Sequence, residues 1–79
     1  MMHELKTWPE SFQPIIKNKK NFEVRVNDRN YQVGDKLLLL EYDPVKQQYT
    51  GRKCYRQISY IMSKNPFIRL GKKVILSIE

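Results

Sequence analysis

The residues best suited to chemistry stand close together in one short segment, KNFEVR at residues 20–25. Glu23 and Arg25 are two positions apart, so on a β-strand their side chains project on the same side, within reach of each other. An Arg25 guanidinium held by Glu23 keeps donors for a phosphate, a carbonyl group or a base edge. Lys20 adds a second cation just upstream. The alternative is a solvent-exposed ion pair, which contributes only about 0.2–1 kcal/mol.

The other residue types that often build catalytic sites offer little here. His3 is the only histidine and lies near the N-terminus, where we expect a flexible end and no Ser-His-Asp site. Cys54 falls in a strand pattern and is expected to be a small core residue. One cysteine and one histidine cannot build a zinc site, and three isolated glycines do not form a phosphate-binding loop. We therefore predict no catalytic residues of these classes, no cofactor and no metal.

The charge of the chain is strongly positive and unevenly distributed. The net charge is +7 over 79 residues, and residues 44–79 hold eight Lys and Arg against one acid, Glu79. Such an excess favours polyanionic partners, with an affinity that falls as salt rises. The alternative is that the charge only keeps the domain soluble.

The composition also excludes several classes of protein. No apolar run approaches the roughly 18–20 residues that a transmembrane helix needs. The N-terminus lacks the apolar segment of a signal peptide, and a single cysteine cannot form an intrachain disulfide. These features predict a protein of the reducing cytoplasm with no membrane contact.

Aromatic residues beside cations form a second group of interest: Tyr42, Tyr49, Arg52, Tyr55, Arg56 and Tyr60. Tyrosine and arginine on one face of a sheet can stack bases and hold phosphates. The alternative is that these tyrosines are core residues and loop anchors. Trp8, beside Pro9, either attaches a helix to the sheet or, if exposed, offers a stacking surface.

The elements that must position these residues are predicted from periodicity. Phe22, Val24 and Val26 are apolar at every second position, which predicts one buried face of a strand, with Glu23 and Arg25 opposite.

A short helix precedes this strand, because Phe12, Ile15 and Ile16 fall at helical spacing. Thr7 and Glu10 fit a capping box at its start. Residues 37–40 are consecutive leucines, typical of a strand covered on both sides in a small barrel. We predict one α+β domain over residues 1–79, a small mixed β-barrel of about five strands with one N-terminal helix packed against it.

A family resemblance adds to this interpretation. Asn18-x-Lys20-x-x-Glu23-x-Arg25 resembles the G-x-K-x-x-E-x-R signature of the ASCH domain, a branch of the PUA-like β-barrel superfamily. Further ordered segments resemble the small bacterial and phage proteins grouped as DUF3850: HELKTWP at 3–9, FEVR at 22–25, NDR at 27–29, VGD at 33–35, EYDP at 41–44 and YTGR at 49–52. The resemblance implies a PUA-like barrel with a cleft lined by the signature residues. ASCH domains are proposed to bind RNA there, and some relatives are hydrolases or nucleases.

Two departures from the family pattern matter. Asn18 replaces the family glycine, and asparagine also tolerates the left-handed conformation that ends a helix. Glu23 stands where relatives that cleave acetyl-cytidine carry a threonine, so a hydroxyl nucleophile is absent from that position. The resemblance therefore favours binding over that hydrolysis.

We expect a nucleic-acid-binding module that prefers RNA over DNA and holds a single-stranded or modified nucleotide. The residues expected to contact it are Lys6, Lys20, Glu23, Arg25, Arg29, Tyr42 and Arg52, with Lys53 and Arg56 adding non-specific attraction. One alternative is a small hydrolase of a nucleoside or RNA that uses Lys20 and Glu23 as an acid–base pair. Another is a protein-interaction module.

Overall fold

The computed structural model describes residues 1–67 and 69–79 as one helix and five strands. In chain order the elements are β1 (Met2–Thr7), α1 (Pro9–Ile16), β2 (Phe22–Val26), β3 (Lys36–Asp43), β4 (Gln48–Met62) and β5 (Lys73–Ile78). The strands form one sheet in the order β1-β3-β4-β5-β2, in which β1 pairs parallel with β3 and the other pairs are antiparallel. The predicted α+β composition of five mixed strands and one helix is confirmed. Within the described chain, no helix has the length and apolar character needed to cross a membrane.

The predicted barrel is wrong, because the sheet is not closed. β1 and β2 are its two edges, and no backbone pairing joins them in the described part of the chain. Arg25 on β2 instead donates from its side chain to the backbone carbonyl oxygen of Lys6 on β1, at 3.1 Å. A side chain thus occupies the space that a strand-to-strand ladder would need. We call this open line between β1 and β2 the seam.

The core lies between α1 and the inner face of the sheet. Phe12 and Ile15 of the helix belong to one buried apolar cluster with residues of every strand except β2, and its members include Leu5, Leu37, Leu39, Ile58, Val74, Leu76 and Ile78. Fully burying one such side chain stabilises the fold by about 1.5–3 kcal/mol. In the leucine run, residues 37–39 are buried and Leu40 is half-buried, so the expected covered strand is largely confirmed.

The two ends of α1 differ in how well they match expectation. The helix begins after Trp8, which makes no side-chain capping bond, so the predicted Thr7–Glu10 capping box is wrong. Thr7 is buried at the end of β1, and its hydroxyl donates to the Leu5 carbonyl oxygen at 3.1 Å. At the other end Asn18 adopts a φ of 58°, the left-handed conformation expected of the residue that replaces glycine.

The face of β2 that points inward is the opposite of the predicted one. Phe22, Val24 and Val26 are 46%, 47% and 49% exposed, whereas Glu23 is 3% exposed. The predicted burial of the apolar face is therefore wrong. The physical reason is that charged residues can be buried where they are paired, and the inner side of the seam provides partners for both Glu23 and Arg25.

Candidate functional site

The seam opens to solvent as a groove of about 460 Å³ between β1, α1 and β2. Its lining residues are Lys6, Thr7, Trp8, Glu10, Ser11, Glu23, Val24 and Arg25. We call this the seam groove. It contains Lys6, Glu23 and Arg25 of the sequence-predicted site, and Lys20 reaches its wall through the bonds described next.

Glu23 lies at the base of the seam groove and is bonded on both carboxylate oxygens. Its Oε1 accepts a hydrogen bond from Lys20 Nζ at 3.2 Å, and its Oε2 accepts one from Arg25 Nε at 2.9 Å. The Glu23 side chain is 3% exposed, against 20% for Lys20 and 22% for Arg25. The spacing of residues 23 and 25 on one strand face brings the pair together as predicted. Its burial distinguishes it from a solvent-exposed ion pair.

Arg25 joins the two edges of the sheet. Besides its bond to Glu23, Nη1 donates to the Lys6 carbonyl oxygen and Nη2 donates to Thr7 Oγ1, both at 3.1 Å. Nη2 also lies 2.8 Å from a Glu23 oxygen. A guanidinium has five N–H groups, so these contacts leave one N–H of Nη1 for a ligand. Arg25 is therefore mainly a cross-link, with little of its donor capacity remaining.

Lys20 is held in the same way and brings a serine into the site. Its Nζ donates to Ser11 Oγ at 3.0 Å as well as to Glu23, which leaves one of three ammonium N–H groups. Nothing in the spacing of the sequence singled out Ser11, which is nine residues away on the helix. The available signal was its place in the first turn of a helix preceding the signature. Thr7, the partner of Arg25, stood in the quoted HELKTWP segment and was assigned only a helix-capping role.

One aromatic side chain lines the seam groove, and two more lie near Lys6. Trp8 lines it and is 56% exposed, so it is available for stacking rather than packed against the sheet. The Lys6 ammonium lies 4.2 Å from the ring centroid of Tyr42. Tyr42 meets Tyr49 edge to face, with centroids 5.0 Å apart. Lys6 therefore connects the groove to this tyrosine pair, because its carbonyl oxygen accepts from Arg25 and its ammonium group contacts Tyr42.

Two further predicted site residues lie outside the seam groove. Arg52 is on β4, with Nη1 3.7 Å from Glu41 Oε1 and its guanidinium over the Phe12 ring. Glu41 is itself 3% exposed and accepts hydrogen bonds from Gln13 and Thr50.

Arg29 lines an adjacent depression of about 400 Å³, which shares Val24 and Arg25 with the seam groove.

A buried cluster around His3 corrects the expectation of a flexible N-terminal end. Parallel pairing of β1 with β3 places His3 beside Leu37, where it is 5% exposed. Its Nε2 lies 2.8 Å from Asp35 Oδ2, and because a carboxylate only accepts, Nε2 carries the proton. The hydrogen bond from His3 lowers the pKa of Asp35 below its ordinary value of 3.8. Among the described residues no hydroxyl group bonds to His3, so this pair lacks a nucleophile.

Other reactive groups add nothing to the site. Cys54 is half-buried and packs against the core, and burial raises the pKa of its thiol, as expected of a structural cysteine. Within residues 1–67 and 69–79 no three His, Cys, Asp or Glu side chains are grouped to hold a metal ion.

Comparison with known proteins identifies the family. Residues 2–78 match the family described as "Domain of unknown function (DUF3850)". The chain is also 40% identical over 58 residues to the "Uncharacterized 12.9 kDa protein in GpA 3'region" of Escherichia phage P2. That match covers 73% of this chain and 51% of the phage protein, so the chain spans about half the length of this relative. The similarity supports a bacterial or phage origin. Because the family match covers nearly every residue, the chain belongs to the DUF3850 family.

Proposed function

We propose that this protein is a cytoplasmic nucleic-acid-binding module that takes single-stranded RNA, or a modified nucleotide within it, into the seam groove. One observation carries the proposal. The groove combines a preorganised Lys20–Glu23–Arg25 network with an exposed tryptophan on its rim. The net charge of +7 supports an anionic partner.

We also propose that the fold is an open member of the PUA-like superfamily, related to ASCH domains. The support is that all three charged signature residues, Lys20, Glu23 and Arg25, meet at one groove, as that resemblance implies. The seam would then correspond to the line along which a related barrel closes.

The groove favours a base or sugar over a phosphate. Glu10 and Glu23 both line it, and their carboxylates repel a phosphate but accept hydrogen bonds from base amino groups and hydroxyls. Lys20 and Arg25 each retain one donor, so they can make single hydrogen bonds to a base edge but no bidentate contact. Sequence selectivity should therefore be modest, with stacking on Trp8 supplying much of the affinity. The 2′-hydroxyl is what separates RNA from DNA at such a site.

The test removes the stacking surface without disturbing the ion network. Trp8→Ala is compared with Tyr55→Ala, a matched control because Tyr55 is 57% exposed and lies outside the seam groove. Fluorescence anisotropy with single-stranded RNA, duplex RNA and single-stranded DNA at about 50 mM salt measures the affinities. Loss of one stacked base, worth about 1–3 kcal/mol, corresponds to about 5- to 150-fold weaker binding for Trp8→Ala. Tyr55→Ala should bind within about twofold of the parent.

Two results would contradict the proposal. The first is a parent protein that binds none of the three probes, which would favour the protein-interaction alternative. The second is equal weakening by Trp8→Ala and Tyr55→Ala, which would show that the groove is not the binding surface.

A second candidate is a hydrolase, favoured by the 3.0 Å contact of Ser11 Oγ with Lys20 Nζ. Serine, lysine and glutamate in a bonded line resemble a nucleophile, a base and an orienting group. Lys20 donates in both of its bonds, so it would have to lose a proton before it could activate Ser11. Under this hypothesis Ser11→Ala and Lys20→Met abolish turnover of a nucleoside or RNA while binding weakens only modestly. A parent with no turnover on any nucleoside or RNA tested excludes it.

A further inference from the structure

The depression beyond Arg25 has the excess of positive charge that the seam groove lacks. It is lined by Val24, Arg25, Val26, Asp28, Arg29, Tyr31 and Lys73, and we call it the Tyr31 depression. Because it shares Val24 and Arg25 with the seam groove, the two form adjoining sections of one path across β2. Three cations and one carboxylate line it, whereas the seam groove has two cations and two carboxylates.

Two of these cations have no partner in the described chain. Arg29 and Lys73 are exposed, and neither side chain makes an ion pair or hydrogen bond with residues 1–67 or 69–79. Lys20, Arg25 and Arg52, by contrast, all contact buried carboxylates. Cations without a carboxylate partner keep their full attraction for an anion from solution.

Tyr31 adds an oriented donor to this depression. Tyr31 is only 6% exposed, and its ring packs edge to face against His3, with the ring centroids 4.9 Å apart. His3 is in turn fixed by Asp35, so the phenol is held in place from behind. Burial raises the pKa of Tyr31, so its hydroxyl is protonated at neutral pH, while Arg25 and Arg29 act in the opposite direction.

The Tyr31 hydroxyl is available to a ligand. It makes no hydrogen bond with the residues that the structure describes. No described buried side-chain oxygen or nitrogen lacks a partner, so this hydroxyl must reach solvent, and the depression is the surface that Tyr31 lines. Buried tyrosines usually have a partner for the hydroxyl. An unused donor and two unpaired cations lining one depression favour a phosphate, because charge-assisted hydrogen bonds to its oxygens are strong.

We infer that the Tyr31 depression is a phosphate-binding subsite, in which Arg29 and Lys73 neutralise one phosphate group and the Tyr31 hydroxyl donates to it. The identity of the ligand as a nucleotide rests on the proposed function, with the adjoining base or sugar in the seam groove. The protein then takes nucleotides and RNA in preference to free nucleosides.

The first arm of the test uses single-stranded RNA and measures how affinity depends on salt. The double variant Arg29→Ala/Lys73→Ala should lower the slope of log affinity against log salt by about 0.7, the value for one phosphate contact on a single strand. Lys46→Ala, which removes a cation from the turn at the far end of β4, should leave the slope unchanged. Tyr31→Phe keeps the ring on His3 and should weaken binding about tenfold with an unchanged slope.

The second arm uses inorganic phosphate alone and follows backbone amide resonances by NMR. In the parent, phosphate should shift the amides of Arg29, Tyr31 and Lys73, and the double variant should lose these shifts. If RNA binds but the double variant keeps the parental slope and affinity, the subsite is overturned and the proposed function stands. If phosphate shifts these amides and no RNA binds, the subsite stands and the proposed function fails. If neither ligand binds, both fail.

Discussion

Arg25 holds the two edges of the sheet together, so its removal should destabilise the fold far more than loss of a surface arginine. Arg25→Ala deletes the donors to Glu23, to Thr7 and to the Lys6 carbonyl oxygen. It also leaves Glu23, which is 3% exposed, with Lys20 as its one remaining cation in the described chain.

The magnitude follows from this geometry. Removing one partner of a buried ion pair costs about 3–5 kcal/mol. Because Lys20 still pairs with Glu23 and Arg25 is itself 22% exposed, we expect the cost to be lower, about 2–3 kcal/mol. The whole domain, at 79 residues, has about 4–12 kcal/mol of stability. For a domain of this size the loss corresponds to a fall in Tm of about 8–24 °C.

Arg52→Ala is the matched control, because Arg52 also faces a carboxylate that is 3% exposed. Arg52 Nη1 lies 3.7 Å from Glu41 Oε1, and the Arg52 side chain is 47% exposed. Without Arg52, Glu41 still accepts hydrogen bonds from Gln13 and Thr50. We expect that variant to lose less than about 1 kcal/mol. Arg25→Lys keeps the positive charge but not the planar guanidinium group, so its loss of unfolding free energy should fall between those of Arg25→Ala and Arg52→Ala.

Urea unfolding followed by far-ultraviolet circular dichroism measures all three variants against the parent. If Arg25→Ala lowers the unfolding free energy no more than Arg52→Ala does, Arg25 does not hold the two edge strands together across the seam. The result also governs the design of binding experiments. A variant at Arg25 changes folding and binding together, which is why Trp8 is the better probe of the groove.

Two further predictions test the cluster at His3 and the orientation of β2. Because the His3 hydrogen bond holds the folded-state pKa of Asp35 below 3.8, Asp35 contributes stability above that value and loses it as the pH falls through the folded-state pKa. In thermal unfolding, Asp35→Asn should therefore be less stable than the parent near neutral pH, and the difference should shrink as the pH falls below 3.8 and through the folded-state pKa of Asp35; a constant difference would contradict this. Val24→Thr, on the exposed face, should change the unfolding free energy by less than about 0.5 kcal/mol, against about 2–5 kcal/mol for Leu76→Ala in the core. Similar losses in the two variants would mean that β2 faces inward with its valines.

Much of the fold could be predicted because it depends on local patterns. Helical spacing of apolar residues located α1, and alternation located β2. The leucine run identified a covered strand, since four consecutive apolar residues leave no polar face for solvent. The left-handed conformation of Asn18 followed from its place after a helix.

Closure of the sheet could not be predicted in the same way. Whether five strands close into a barrel depends on the distance between the edge strands, and no local pattern reports that distance. In this protein the gap between β1 and β2 is crossed by the Arg25 side chain. The prediction that His3 lies at a flexible end was wrong for a related reason. Its burial depends on pairing with a strand more than thirty residues away.

The sequence by itself determined that residues 22–26 form a strand with one charged and one apolar face, and that Glu23 and Arg25 share a side. Only the tertiary structure decided which face turns inward. Apolar side chains are buried when something packs against them, and charged side chains are buried when they find partners. The inner side of the seam supplies Lys20, Thr7 and the Lys6 carbonyl group. The contacts of Arg25 with Lys6 and Thr7, 19 and 18 residues away in the chain, together with the local Lys20–Glu23 pair, turned an alternating pattern into the wall of a candidate site.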